Sequence, residues 1–350
     1  MARIVVAGAG AIGASVAYNL ALRGAREVVL ADRGPIAGGS TARAMGGVRQ
    51  QFDTAAEVRL AQASTAFFEE LGPPLFDQVG YLFVATTRGG ADELERRRTM
   101  QVELGVPVER VDPSFVDGLR TDDVVGALFC ARDGVGDPVA VTRELVRRAA
   151  DLGVEVRERT PAEALDAKVL VIACGPWSAE LGDRVGAELP VRPLCRQLIE
   201  TTPVAGLPER LPMVIEAETG FHFRRRGDRL VLAMADPAPR WTDEPWVDES
   251  LFADRLARLE HRFPTASTAG AAGAWAGLYD MTPDAHPVIG VVAPDVYAAC
   301  GFSGHGFMQA PAVGEALAQL ILEGGSSFDL SPYALERFAG NVEFPETLVL

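Results

Sequence analysis

The chain has 350 residues, of which 48% are hydrophobic and 23% charged, the balance of a folded globular protein rather than a disordered one. That length allows two domains, or one large α/β unit with an elaboration. Thirty-three basic residues against 48 acidic ones leave a net charge of −15, which argues against nucleic acid or an anionic membrane as a partner. Cys130, Cys174, Cys195 and Cys300 are scattered without a CxxC, and the four histidines form no ligand pair. We therefore expect no disulfide framework, no metal site and a reducing, cytoplasmic setting. The uncharged run from Ile4 to Leu22 follows Arg3 and could pass for a signal peptide or a membrane span. Gly8, Gly10 and Gly13 interrupt it, so a buried strand and helix are expected and no membrane span.

In chain order, Arg3 to Ala7 reads as an apolar strand, and Gly8-Ala-Gly10-Ala-Ile-Gly13 follows at once. Ile12, Val16 and Leu20 then mark one face of a helix that Gly24 can end. Glu27 to Ala31 is a second strand with Asp32 at its end, nineteen residues after the third glycine. Strand, GxGxxG, helix, strand and acid in this order form a dinucleotide-binding unit. Gly8 allows the tight turn, Gly10 lets the backbone approach a pyrophosphate, Gly13 packs helix on strand, and Asp32 can hold a ribose hydroxyl. The acid disfavours a 2′-phosphate despite Arg33.

A glycine-rich loop from Gly34 to Arg49 comes next, where an NAD dehydrogenase would continue its βαβ alternation. Thr54-Ala-Ala-Glu57 is a capping box for a helix carrying Leu60, Phe67 and Leu71. Strands are expected at Gly80–Ala85, Val124–Ala131 and Val154–Arg157, and helices at Ala91–Gly105 and Val141–Leu152, with Asp133–Pro138 a turn. Lys168 is the chain's single lysine and opens Lys168–Ala173, an apolar run that suits a central parallel strand. Between about 186 and 275, short strands fall at Gly220–Arg224 and Arg229–Met234, with a helix at Leu251–Phe263. Gly277 to Asp284 reads as turn-rich, and strands follow at Val288 and Val296. Then Gly301-Phe-Ser-Gly-His-Gly-Phe-Met308 leads into a helix from Gln309 to Glu323 with Pro311 in its first turn. Free amides at that helix start suit a developing negative charge.

These motifs together resemble the D-amino-acid-oxidase superfamily of FAD flavoproteins. The resemblance is strongest to sarcosine oxidase β subunits, dimethylglycine dehydrogenases and dye-linked L-proline dehydrogenase β subunits. It rests on Gly8–Gly13 with Asp32, on Gly39-Ser-Thr and Gly46-Gly-Val-Arg-Gln-Gln-Phe52, on Asp133-Gly-x-x-Asp137-Pro, and on Gly277-Leu-Tyr with Thr-Pro-Asp284 and Gly301–Met308. It implies an α/β fold: a Rossmann-like, glutathione-reductase-type FAD-binding domain (1–79, 135–185 and 276–350) interleaved with an α+β substrate domain (80–134 and 186–275) on a mixed, largely antiparallel sheet. The implied reaction is oxidation of the C–N bond of an amino acid or N-alkyl amino acid to an imine. An electron-accepting partner or subunit would complete it. The alternatives are a flavin-dependent 2-hydroxy acid or polyol-phosphate dehydrogenase, and an NAD-dependent Rossmann dehydrogenase.

The same resemblance places FAD against Gly8, Gly10, Ala11, Ile12, Gly13, Asp32 and Arg33, and against Ser40, Thr41, Arg43, Gly46 and Gly47 of the first loop. Val156, Ala173, Gly175 and Trp177 would line its middle, and Gly277, Gly301, Gly304, His305, Gly306, Phe307 and Met308 its ring. Arg49 would grip a substrate carboxylate, with Tyr279, His305 and Met308 beside the reacting centre and His222 at the pocket wall. The chain departs from the family at four places. Arg43 stands where some members tether the flavin to a histidine, and Gly277 where others use a cysteine. Met308 replaces a carboxylate-binding lysine, and the Arg229–Met234 run has no lysine for oxygen. Non-covalent FAD and an acceptor other than dioxygen are the expectations. Arg157 to Lys168 is short where the family usually has a β-meander.

Overall fold

Short, fully apolar runs can bury both faces only in the middle of a parallel sheet covered by helices. That is where the computed structural model, which describes residues 3–339, puts them. Ile4–Ala7 lies between Val169–Ile172 and Val28–Ala31, all parallel, with Ile4 beside Val169 and Val28. Glu155–Arg157 closes one edge, and Val296–Cys300 with Val288–Ala293 the other, the last pair being antiparallel. On one face Val6 and Leu30 pack with Leu20, Leu145, Val313 and Leu317, from the helices Ala11–Leu22, Pro138–Asp151 and Gly306–Glu323. On the other face, Ala7 and Ile172 meet Leu181 and Leu189, and Val5 and Val29 meet Ala162 and Leu165. Residues 158–168 hold only a 3₁₀ turn, Ala162–Ala164, and no meander.

A second sheet has nine strands. Its path runs Arg240–Trp241, Arg192–Thr201, Arg229–Ala233, His222–Arg226, Met213–Glu216, Tyr81–Ala85, Gly126–Cys130 and Val108–Arg110, and Ala271–Met281 pairs along Arg192–Thr201. Pairing is antiparallel except between Met213–Glu216 and Tyr81–Ala85, so the sheet is mixed and largely antiparallel. Phe221, Phe223 and Phe263 fill its core. A small sheet of Gly47–Val48, Gly134–Gly136 and Phe76–Asp77 ties the first loop to the remainder. No helix among the described residues is long and apolar enough to cross a membrane.

Several local expectations need correction. Gly277 to Asp280 is not turn-rich. It belongs to Ala271–Met281, an eleven-residue strand held along its length by Arg192–Thr201. The turn falls after it, where Ala285 has φ 61° and Thr282 Oγ1 donates to the His286 carbonyl at 2.7 Å. Arg192–Thr201 itself has no sequence signature, because Arg192, Arg196 and Gln197 break its alternation. Asp133–Pro138 contains a short strand and a cap rather than a plain turn. Asp137 accepts from the Val139 and Ala140 amides, each at 3.0 Å, and starts the helix at Pro138, three residues before Val141.

The last long helix begins at Gly306 rather than Gln309, so Pro311 is inside it and not in its first turn. Proline there removes a helical hydrogen bond. Buried Ser64, on the neighbouring helix Ala55–Leu71, binds the backbone beside the proline: its hydroxyl donates to the Gln309 carbonyl at 3.2 Å and accepts from the Ala312 amide at 3.1 Å. The capping box at Thr54 is present, with the Glu57 amide donating to Thr54 Oγ1 at 3.3 Å.

Candidate active site

One cleft of about 1810 Å³, open mouth included, runs from the carboxyl ends of the parallel strands to the face of the mixed sheet. At its first end the three glycines divide their work. A Cβ on Gly8, which has φ +105°, would sit 2.2 Å from the Ala173 carbonyl oxygen, and one on Gly13 would sit 1.8 Å from the Gly8 carbonyl oxygen. These two let strand and helix touch. Gly10 caps the helix and a Cβ there would meet only Thr41 Oγ1, at 3.2 Å, so its bareness serves the cleft. Ala11 and Ile12 follow on the cleft wall, at the helix N-terminus.

Asp32 is fixed by two amides, Ala9 to Oδ2 and Gly34 to Oδ1, each at 2.7 Å. Both oxygens keep lone pairs for ribose hydroxyls. Arg33 is occupied elsewhere, stacked 4.7 Å over Trp177 and 3.5 Å from Glu180. Gly175, with φ +53°, and Trp177 continue the wall beside Ala173. From the first loop, Thr41 Oγ1 accepts from the Ala11 amide at 3.2 Å and Ser40 donates to the Leu278 carbonyl at 2.6 Å. Arg43 sits against Gly277, where a Cβ would come within 2.6 Å of the arginine's own Cβ. The positions that carry tethers elsewhere in the superfamily are thus adjacent here, and hold an arginine and a bare backbone.

At the far end the cleft is walled by Tyr279, His222, Arg196, Leu198 and Met234, with Gly304, Gly306 and Phe307 closing from the last helix. Other expected residues, Arg49 and His305 among them, are not on the cleft lining. Gly46 and Gly47 pack on Gly136 and on the Tyr81 hydroxyl. Gly301, at φ +77°, packs on Thr282. Val156 lies on the edge strand Glu155–Arg157, and Met308 is buried in the core in the first turn of its helix.

Arg49 is enclosed. Its guanidinium donates to the Gln51 carbonyl, stacks 4.1 Å over Phe52, and faces His305 Nε2 at 3.2 Å. An arginine is always a donor, so Nε2 accepts and His305 is neutral. Burial first, then the Arg49 charge, holds the His305 pKa down to about 4. His222 Nδ1 lies 2.8 Å from the Gly220 carbonyl, which fixes the proton there and leaves Nε2 an acceptor; burial also lowers its pKa. Burial raises the Tyr279 pKa.

Sequence reasoning missed two groups. Asp280, pushed up to about 6 by burial, accepts from the Gly301 amide at 2.8 Å and so ties the glycine loop to the strand. Its signal was the acid between Tyr279 and Met281. Arg196 was hidden by the unread strand. Asp133, also held near 6 by burial, takes the Gln50 amide at 2.9 Å and Gln51 Nε2 at 3.0 Å, and so sets the loop leading from Arg49.

A glycine cradle at a helix start, a fixed acid at the ribose position and a cleft continuing to a second sheet define a flavin dinucleotide oxidoreductase rather than a nicotinamide one. The chain belongs to the FAD dependent oxidoreductase (DAO) family, which matches residues 3–320. It is 30% identical to FAD-dependent oxidoreductase domain-containing protein 1 of Bos taurus, over 96% of this chain and 84% of that one. It is 26% identical to the formaldehyde-forming 4-methylaminobutanoate oxidase of Paenarthrobacter nicotinovorans, over 97% of this chain but only 46% of that enzyme. Its fold superposes on L-proline dehydrogenase from P. horikoshii with a TM-score of 0.89 at 27% identity, covering 97% and 98% of the two chains. FAD is the cofactor of the family, and the cradle and cleft described here fit it.

Proposed function

We propose that the protein oxidises the C–N bond of an amino acid or N-alkyl amino acid to an imine. The observation that carries this reading is the electrostatics of the far end of the cleft. Arg196, Tyr279 and His222 line that end, the charge of Arg49 reaches Tyr279 and His222 from behind the lining, and burial keeps Tyr279, His222 and His305 in their neutral forms. Such a chamber attracts a carboxylate and tolerates a neutral amine. Bound FAD supplies the two-electron acceptor. The chain's own residues do the rest. Arg49 contributes the carboxylate's counter-charge, kept in place by Gln51, Phe52 and His305. His222, kept neutral, Tyr279 and Phe307 line the wall that excludes water and favour the substrate's neutral amine. The similarity to 4-methylaminobutanoate oxidase and L-proline dehydrogenase supports the C–N bond over a C–O bond. Four unpaired cysteines, three of them buried, suit a reducing compartment such as the cytoplasm.

The test is anaerobic addition of an amino-acid and N-methyl amino-acid panel, reading bleaching of the flavin band and release of ammonia or methylamine. Bleaching by a 2-hydroxy acid or a polyol phosphate alone would refute the reading. Acid precipitation should leave all flavin in the supernatant, since Arg43 and Gly277 offer no tether. Arg49→Lys keeps the charge and loses the fork, so kcat/KM should fall by about 1–3 kcal/mol of binding. Unchanged kinetics on the best substrate would remove Arg49 from this role.

A further inference from the structure

Arg196 stands on the strand Arg192–Thr201 directly across from Gly277. Its side chain lines the substrate end of the cleft. Its Nη2 is shut off from solvent and has no hydrogen-bond partner, and its guanidinium lies 5.9 Å from the Tyr279 ring centre. Asp236, the acid whose charge reaches it, is shared between Arg240, 2.7 Å from Oδ2, and Arg255, 3.8 Å from Oδ1, and makes no ion pair with Arg196. Arg49, by contrast, is engaged by Gln51, Phe52 and His305. Arg196 lies beside the Tyr279 ring, whereas Arg49 lies over Phe52 and against His305. The two cations therefore occupy different places. A half-buried guanidinium on the cleft wall with no ion pair among the described residues is costly unless a ligand supplies its counter-charge.

We propose that Arg196 receives a second anionic group of the substrate, beyond the α-carboxylate, so that the protein acts on amino acids carrying a further acid group on the side chain or on the nitrogen. This rests on the amino-acid reading above and narrows it to acidic substrates. An amino group held between two carboxylate anchors is also oriented about both ends, which a single anchor does not achieve.

The flavin-loaded protein is titrated with succinate, which has two carboxylates and no amine, and with propionate, which has one. Binding is read by the flavin absorption change and by calorimetry. Succinate should bind at least about tenfold more tightly. Arg196→Gln should reduce that advantage to about twofold or less, and Arg196→Lys should restore part of it. Equal affinities in the parent protein, or an advantage that survives Arg196→Gln, overturn the proposal. If the glutamine variant sheds its flavin, the parent ratio and the lysine variant still decide. In the second arm aspartate and glutamate are compared with alanine for anaerobic bleaching. Acidic substrates faster in the parent protein support the proposal, and alanine as fast as either refutes it. If no amino acid bleaches the flavin while succinate still binds through Arg196, the anion site stands and the C–N reading fails.

Discussion

At the scale of single residues, the glycines of the first motif carry different burdens, and substitution separates them. Gly10→Val adds bulk that points into the cleft and meets only Thr41, so the protein should fold and purify colourless. Gly13→Ala drives a methyl into the Gly8 carbonyl, so its loss should appear as a lowered melting temperature even without flavin. Equal melting temperatures for Gly13→Ala and the parent would contradict this division. His305 gives a pH signature. Its folded pKa of about 4 lies below the ordinary 6.5 of an unfolded histidine. The unfolded chain therefore binds the proton first, and stability from this group is fully present above pH 6.5 and lost as pH falls toward 4. Asp133 and Asp280, raised to about 6, act with the opposite sign between about 3.8 and 6. Urea unfolding at pH 7 and pH 5 should thus show His305→Gln losing less stability on acidification than the parent, with the aspartates common to both. A parallel loss in the two proteins would mean that His305 is not held neutral.

At the scale of elements, the junction of two helices can be tested alone. Ser64→Ala removes the hydroxyl's bonds to the Gln309 carbonyl and from the Ala312 amide beside Pro311. Unfolding should then cost about 1–3 kcal/mol less, read from the urea midpoint at constant slope; a shift within about 0.5 kcal/mol would show that water replaces the hydroxyl. How legible the elements were follows from their chemistry. Ile4–Ala7, Val28–Ala31 and Val169–Ile172 announce themselves because parallel central strands must be apolar on both faces. Arg192–Thr201 and Ala271–Met281 do not, because they form the cleft's own wall. Their side chains are chosen for the ligand, so arginine, glutamine, glycine and aspartate interrupt the alternation that would mark them as strands. Arg196 and Asp280 were missed for that same reason. The glycine motif and Asp32 were plain because the spacing of a strand, a turn and a helix fixes where they fall.

For the whole molecule, charge bears on where electrons go. Lys168, the single lysine, is exposed at the start of the strand Val169–Ile172 and its amide donates to the Arg3 carbonyl, on the first sheet rather than the cleft's far wall. The strand Arg229–Ala233 brings no lysine to the site. Arg224 donates to the Met45 carbonyl at 2.6 Å, and burial lowers its pKa to about 10. Substrate-reduced protein should accordingly pass electrons to a dye or quinone faster than to dioxygen in stopped-flow mixing. Reoxidation by air at the rate of turnover would make it an oxidase. A physiological acceptor would meet a surface of net charge −15, which favours basic partners.

The order of strands in the first sheet has a consequence for biosynthesis. Ile4–Ala7, made first, pairs with Val169–Ile172, which in turn waits for Val296–Cys300. The intervening chain must build most of the other sheet meanwhile. A nascent polypeptide therefore carries an unpaired apolar strand edge until Val169–Ile172 and then Val296–Cys300 have been made, and the sheet under the nucleotide cradle is complete only after them. Non-local pairing of this kind is slow and prone to misassociation. The glycine turn that grips the cofactor is thus translated well before the strands that complete its cradle, and flavin capture follows their pairing rather than preceding it.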